Sequence, residues 1–99
     1  MVSHIGDHVE RVVKLAIFIA EKENANVEIV KKAAELHDIA RGMPNHAIVG
    51  ARIAEKILKE QGYDEKFIKA VKHCIESHSF SSPIQPKTLE AKILSDADK

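Results

Sequence analysis

The chain is poor in several features that would point directly to a function. It has one cysteine, Cys74, so no intramolecular disulfide can form and a reducing cytoplasm is the expected compartment. Tryptophan is absent and aromatic residues make up 4% of the 99 positions, so the core must be aliphatic, built from Val, Ile, Leu and Ala. Neither sign of charge is in excess. The 15 Lys and Arg balance 15 Asp and Glu, which argues against a large footprint for nucleic acid or an anionic membrane and leaves room only for a local basic patch. The longest apolar run, LAIFIA at 15–20, is too short to cross a bilayer. No basic stretch followed by an apolar one opens the chain, so no signal peptide is expected. No segment alternates long enough to read as a strand, and there is no internal repeat, low-complexity tract or linker. One domain over residues 1–99 is the expectation.

What the chain does have is helical periodicity and histidine. Apolar positions recur at the spacing of one helix face in five segments. The first, 7–23, carries Val9, Val12, Val13, Ala16, Ile17 and Ala20 behind Asp7 as N-cap. The second, 27–41, carries Val30, Ala33, Ala34 and His37, with Gly42 and Pro44 as its stop. Asn45 is the expected cap of a third helix at about 46–61, with Val49, Ile53 and Ile57 inward and Gly62 ending it. Gly50, within it, is read as permitting a close helix approach. Asp64 caps a fourth over roughly 65–79, with Phe67, Val71, Cys74 and Ile75 in the core. A loop with two prolines leads to a last helix that starts at Thr88 and holds Leu89, Ile93, Leu94 and Ala97. The expected fold is a compact, all-α bundle of about five helices. The last helix runs to the chain end without a C-cap signal, which reads as a domain truncated at its C-terminus.

There are six histidines, a high count for this length. His37 and Asp38 stand side by side at the end of the apolar stripe of the second helix. An imidazole and a carboxylate placed there need partners, because burying either unpaired costs several kcal/mol. His8 lies one turn before Val12, and His46 precedes Val49 and Ile53 by three and seven residues. His78 extends the series Phe67, Val71, Cys74. His73, five residues before His78, projects about 140° away from it. Asp98 follows Ala91 and Leu94 at helical spacing, and Asp96 follows Leu89 and Ile93. His4 sits in an N-terminal stretch expected to fray. Each helix thus brings a histidine or a carboxylate near its buried face, which is how metal sites are built in helical bundles. Histidine with carboxylate and no thiolate suits Mn, Fe, Co, Ni, Zn or Mg. Cys74 reads as core.

The segments DHVERV with His8, ELHDIA with His37 and Asp38, and SDADK with Asp98 form the ordered pattern H…HD…D. In this the chain resembles the HD superfamily of metal-dependent phosphohydrolases. NHAIVGARIAEKIL is similar to the helix that follows the HD pair in many members. VKHCIESHSF with PKTLEAKILSDADK resembles a bacterial and archaeal subgroup of predicted HD hydrolases. The resemblance implies that His8, His37, Asp38 and Asp98 hold one divalent metal ion, with Asp96 as the alternative last ligand. In two-metal members, further histidines bind a second ion; His46, His73 and His78 occupy comparable places. It implies hydrolysis of a phosphomonoester or phosphodiester, such as a nucleotide, by metal-activated water, with Asp38 accepting a proton. Arg41 is the first candidate for stabilising phosphate charge, ahead of Arg11 and Lys99. Two departures stand out: members usually continue well past the last Asp, and Arg41 replaces the glutamate that some nucleotidases carry after the HD pair. The competing readings are a catalytically incomplete HD module that binds a nucleotide or partner and, further off, a di-iron oxygenase. A phosphorylated small molecule or nucleotide is the expected partner, with no membrane. An apolar flank left by missing helices would suit a homodimer.

Overall fold

The computed structural model describes residues 4–79 and 82–98, with side chains from His8 onward. His4 as a side chain, and Lys99, lie outside the described residues. Five helices form in the order α1 His4–Glu23, α2 Val27–Leu36, α3 His46–Glu60, α4 Glu65–Glu76 and α5 Leu89–Asp98. No strand occurs among the described residues. The all-α expectation holds, with several boundaries and one helix face corrected.

The turns between helices follow from local chemistry. Asn24 (φ 59°) takes the left-handed conformation that ends α1, and the Ala25 N–H donates to the Ala20 carbonyl. Asn26 then caps α2 by accepting from the Ile29 N–H. Gly62 (φ 87°) closes α3 in a Schellman motif, with Gly62 N–H donating to Lys59 O and Tyr63 N–H to Leu58 O. Asp64 caps α4, its Oδ1 accepting from the Phe67 N–H at 2.8 Å. Thr88 Oγ1 accepts from the Ala91 N–H and opens α5.

Two caps differ from expectation. The first helix begins at His4, so Asp7 stands inside it rather than before it. Asn45 does precede α3, but its φ of 55° turns its side chain away from the cap position and it makes no capping bond. The largest boundary correction is in α2, which ends at Leu36 rather than at 41. From there the chain advances in tight three-residue turns, Ile39 N–H to Leu36 O, Arg41 N–H to Asp38 O and Met43 N–H to Ala40 O. The helix α4 likewise stops at Glu76, leaving His78 just beyond it.

The core is aliphatic, as the composition requires. Val12, Val30, Leu58, Ile68, Val71, Ile75 and Leu94 interlock with a set of fully buried alanines. On α1, Val12, Ala16 and Ala20 are buried while Val9, Val13 and Ile17 are half-buried. The inward face of α3 is not the Val49, Ile53, Ile57 stripe. Ala47, Gly50, Ala51, Ala54 and Leu58 face the core, and the larger aliphatics lie half-buried on the flank. The small alanine side chains let α3 sit close to its neighbours, and an ordering by hydrophobic bulk misses them. Phe67 is similarly half-buried, with Ile68 taking the core position on α4, and Leu89 is exposed while Ala91 is buried.

Candidate metal centre

The five helices converge their polar ends on one place. His8 comes from α1, His37 is the C-cap residue of α2 and Asp38 follows it in the first tight turn. Asp98 is the last residue of α5. Asp98 Oδ1 lies 3.2 Å from His37 Nε2 and 3.3 Å from His8 Nε2. Asp38 places Oδ1 3.6 Å from His37 Nε2 and Oδ2 3.6 Å from His8 Nε2. Neighbouring atoms bonded at about 2.0–2.2 Å to one divalent ion lie about 2.8–3.1 Å apart in octahedral and about 3.3–3.6 Å apart in tetrahedral geometry. The observed spacings fall within these outer limits, and one atom each from His8, His37 and Asp98 lies within 4.8 Å of the others.

The protonation pattern fits a cation as well. His37 Nδ1 faces the Ala34 carbonyl at 2.6 Å, so it is the ring N–H donor to one of the carbonyls a helix end leaves free. That leaves Nε2 with a lone pair. The ring is 1% exposed and Nε2 makes no hydrogen bond, although Asp98 Oδ1 is 3.2 Å away. A buried acceptor oriented by a backbone carbonyl on its far nitrogen is the arrangement metal-ligating histidines adopt. His78 repeats it: Nδ1 faces Ile75 O, and Nε2 lies 3.9 Å from Asp98 Oδ2.

The charges agree. Burial resists protonation of His37, but the Asp98 carboxylate, the Ala34 carbonyl and Asp38 outweigh it and raise its pKa. Burial would raise Asp98, yet the imidazoles of His37, His78 and His8 bring it below its usual value. The pocket therefore favours a positive charge between His37 and Asp98. Burial, with His37 and His46 nearby, lowers His78 and keeps it neutral, the form that binds a metal.

The remaining expected residues divide. The His78 ring stands 5.3 Å from the His37 ring and 5.9 Å from the His46 ring, so both extend the cluster. Arg41 places NH1 3.5 Å from Asp38 Oδ2 while remaining 56% exposed, free to reach a bound anion. His73 is not brought to this group. Its Nε2 accepts from the Lys87 N–H at 3.0 Å and its Nδ1 faces Glu76 Oε2 at 3.2 Å. Arg11 lies on the exposed face of α1. Asp96 projects roughly 200° away from Asp98 around α5 and lines a different cavity. That cavity, about 360 Å³, has Ser77 and Ser79 on either side of His78 in the chain, and Ser95 one turn before Asp98. The sequence reading singled out none of these serines, because serine carries no spacing signature of its own.

The HD domain model matches residues 5–99. The chain belongs to the HD domain family. Among solved structures, a predicted HD superfamily hydrolase from an uncultured Thermotogales bacterium superposes with a TM-score of 0.82 at 37% identity, over 93% of this chain and 53% of that one. YpgQ of Bacillus subtilis superposes with a TM-score of 0.76 at 32% identity, over 92% of this chain and 50% of that one. The HD chain is also similar to a region of larger enzymes. It is 34% identical to a tRNA (cytidine(56)-2'-O)-methyltransferase of Thermoplasma volcanium, over 96% of this chain and 31% of that protein. It is 34% identical to ribonuclease Y of Chloroflexus aurantiacus, over 85% of this chain and 16% of that protein. The chain thus spans about half the length of the solved structures and a third or less of these curated relatives. No helix among the described residues is long and apolar enough to cross a membrane.

Proposed function

We propose that this HD domain is a metal-dependent phosphohydrolase acting on a phosphomonoester or phosphodiester of nucleotide type. The observation that carries the reading is the buried, unbonded Nε2 of His37 held 3.2 Å from Asp98 Oδ1. His8, His37, Asp38 and Asp98 would hold the ion, with His78 and His46 placed for a second. A bound divalent ion would supply a nucleophilic hydroxide near neutral pH and polarise a phosphoryl oxygen. The chain's own groups do the rest. Asp38, between both imidazoles and only 17% exposed, would take the proton that the water gives up in forming hydroxide and return it to the departing oxygen as the P–O ester bond breaks. Arg41 carries a positive charge to the rim, where it neutralises charge on the phosphate oxygens. The buried ring of His37 cannot rotate away, since Ala34 O holds its other nitrogen. The ribonuclease and the tRNA methyltransferase are both RNA enzymes by name, which supports a nucleotide or an RNA phosphodiester as the substrate class.

The alternative is an HD module that binds metal and nucleotide without turnover. The chain spans about half the length of its solved relatives, so metal binding by this part and turnover by a whole protein are separate measurements. Assaying bis(p-nitrophenyl) phosphate and nucleotides with Mn, Ni, Co and Mg separates the two. Hydrolysis that disappears in Asp38→Ala supports the enzyme. Stoichiometric metal without turnover supports the module, and no bound metal overturns both.

A further inference from the structure

The helices α2 and α5 are tied together at both ends. At their starts, the Asn26 backbone N–H donates to Glu90 Oε2 at 2.9 Å. At their far ends, His37 and Asp98 meet at 3.2 Å. Each helix is ten residues long and so spans about 15 Å. Two helices joined at start and finish run side by side in the same direction.

Neither helix needs Glu90 for its own start. Asn26 already caps α2 through its side chain, and Thr88 already caps α5. The bond from Asn26 to Glu90 spans 64 residues and joins one helix to the other. A second tie holds the same end of α5 from the other side, where the Lys87 N–H donates to His73 Nε2. This gives the displaced histidine a role. Slipping α5 by one residue would move Asp98 about 1.5 Å along the axis and turn it about 100°, out of reach of both imidazoles.

We propose that Glu90 and His73 are positioning residues that set the register of α5 and so deliver Asp98 to His8 and His37. The consequence for metal binding rests on the metal-centre reading; the register itself does not. The test uses the full chain and four variants, Glu90→Ala, Glu90→Gln, His73→Ala and His73→Gln, at a temperature where circular dichroism shows each one folded. Glutamine keeps a carbonyl oxygen able to accept the same N–H, whereas alanine does not. Mn(II) affinity is measured by calorimetry, and the ring signals of His8, His37 and His78 are followed by NMR in the metal-free protein. The alanine variants are expected to lose about 10- to 100-fold in Mn(II) affinity and to shift the three ring signals, and the glutamine variants to restore both. A folded alanine variant with wild-type affinity and ring signals overturns the proposal. Glutamine variants as impaired as alanine also overturn it, because the acceptor is then not what matters. If an alanine variant does not fold, its glutamine partner against wild type decides. If the wild type binds no Mn(II), the metal-centre reading fails and the ring signals alone judge the register.

Discussion

Replacing His37 with leucine is expected to abolish metal binding while leaving the metal-free fold close to wild type in stability. The imidazole is 1% exposed, with one nitrogen bonded to Ala34 O and the other without a partner. At a pH above the raised His37 pKa the ring is neutral and its unsatisfied buried acceptor costs about 1–3 kcal/mol, which leucine removes. Leucine also loses the bond to Ala34 O, about 0.5–1.5 kcal/mol, and must fit the space the ring leaves, at a cost of about 1 kcal/mol. These changes offset, so the apo variant should lie within about 2 kcal/mol of wild type. With metal the two proteins separate. An ion at 100 times its dissociation constant adds about 2.7 kcal/mol to the wild type. For 99 residues the unfolding entropy is about 0.21 kcal/mol/K, so Tm should rise by about 13 °C. His37→Leu should show no rise. The assay is thermal unfolding with and without Mn(II) or Ni(II), with a chelator control and elemental analysis of the purified proteins. Because Asp98, Ala34 O and Asp38 hold His37 above its usual pKa against the opposing effect of burial, the ion must displace a proton wherever the pH lies below that raised value. The wild-type rise should therefore be larger at pH 8 than at pH 6. A wild-type rise retained in His37→Leu refutes the assignment of His37, and no rise in the wild type refutes the metal centre.

Two further outcomes test the packing that holds the site. Burial, with the Glu90 carboxylate adding to it, pushes the Cys74 thiol from 9.0 up to about 12. A folded-state pKa above the unfolded one means its contribution is intact below about pH 9 and is lost as pH rises toward 12. At pH 10.5 that loss is about 2 kcal/mol, so urea unfolding of wild type and Cys74→Ala should converge by that amount between pH 8 and pH 10.5. A pH-independent difference contradicts it. Gly50→Ala should stabilise by about 1 kcal/mol, read as a raised urea midpoint, because alanine is the better helix former. A Cβ there would meet Ala40, Ile39 and Ile75 at 3.6 Å, an ordinary contact, so the glycine is not needed for close approach. Destabilisation would show that the helix has no room to spare at that point.

Much of the fold and part of the site were legible because they rest on short-range rules. Asp64, Gly62 and Thr88 act where the sequence places them, since a cap is a contact between near neighbours. The stripe Val30, Ala33, Ala34, His37 is buried throughout, because a period of 3.6 brings those positions to one side. The pattern H…HD…D held His8, His37, Asp38 and Asp98 in order, and the fold brings all four together. What the sequence did not reveal is long-range or small. Apart from Leu58, the inward face of α3 is made of alanine and glycine, whose burial follows from the closeness of neighbours rather than from their own hydrophobicity. His73 has the same spacing from a core stripe as a metal-bound histidine could have, and only the position of the Lys87 N–H, fourteen residues on, separates the two roles. The end of α2 was misplaced for a related reason. The sequence offers helix formers up to Arg41, but His37 gives its ring N–H to Ala34 O and the chain leaves the helix in tight turns. That departure brings the Asp38 carboxylate to within 3.6 Å of His37 Nε2. On a continued helix, adjacent residues would point about 100° apart. The helix stops where two neighbouring side chains come to face one point.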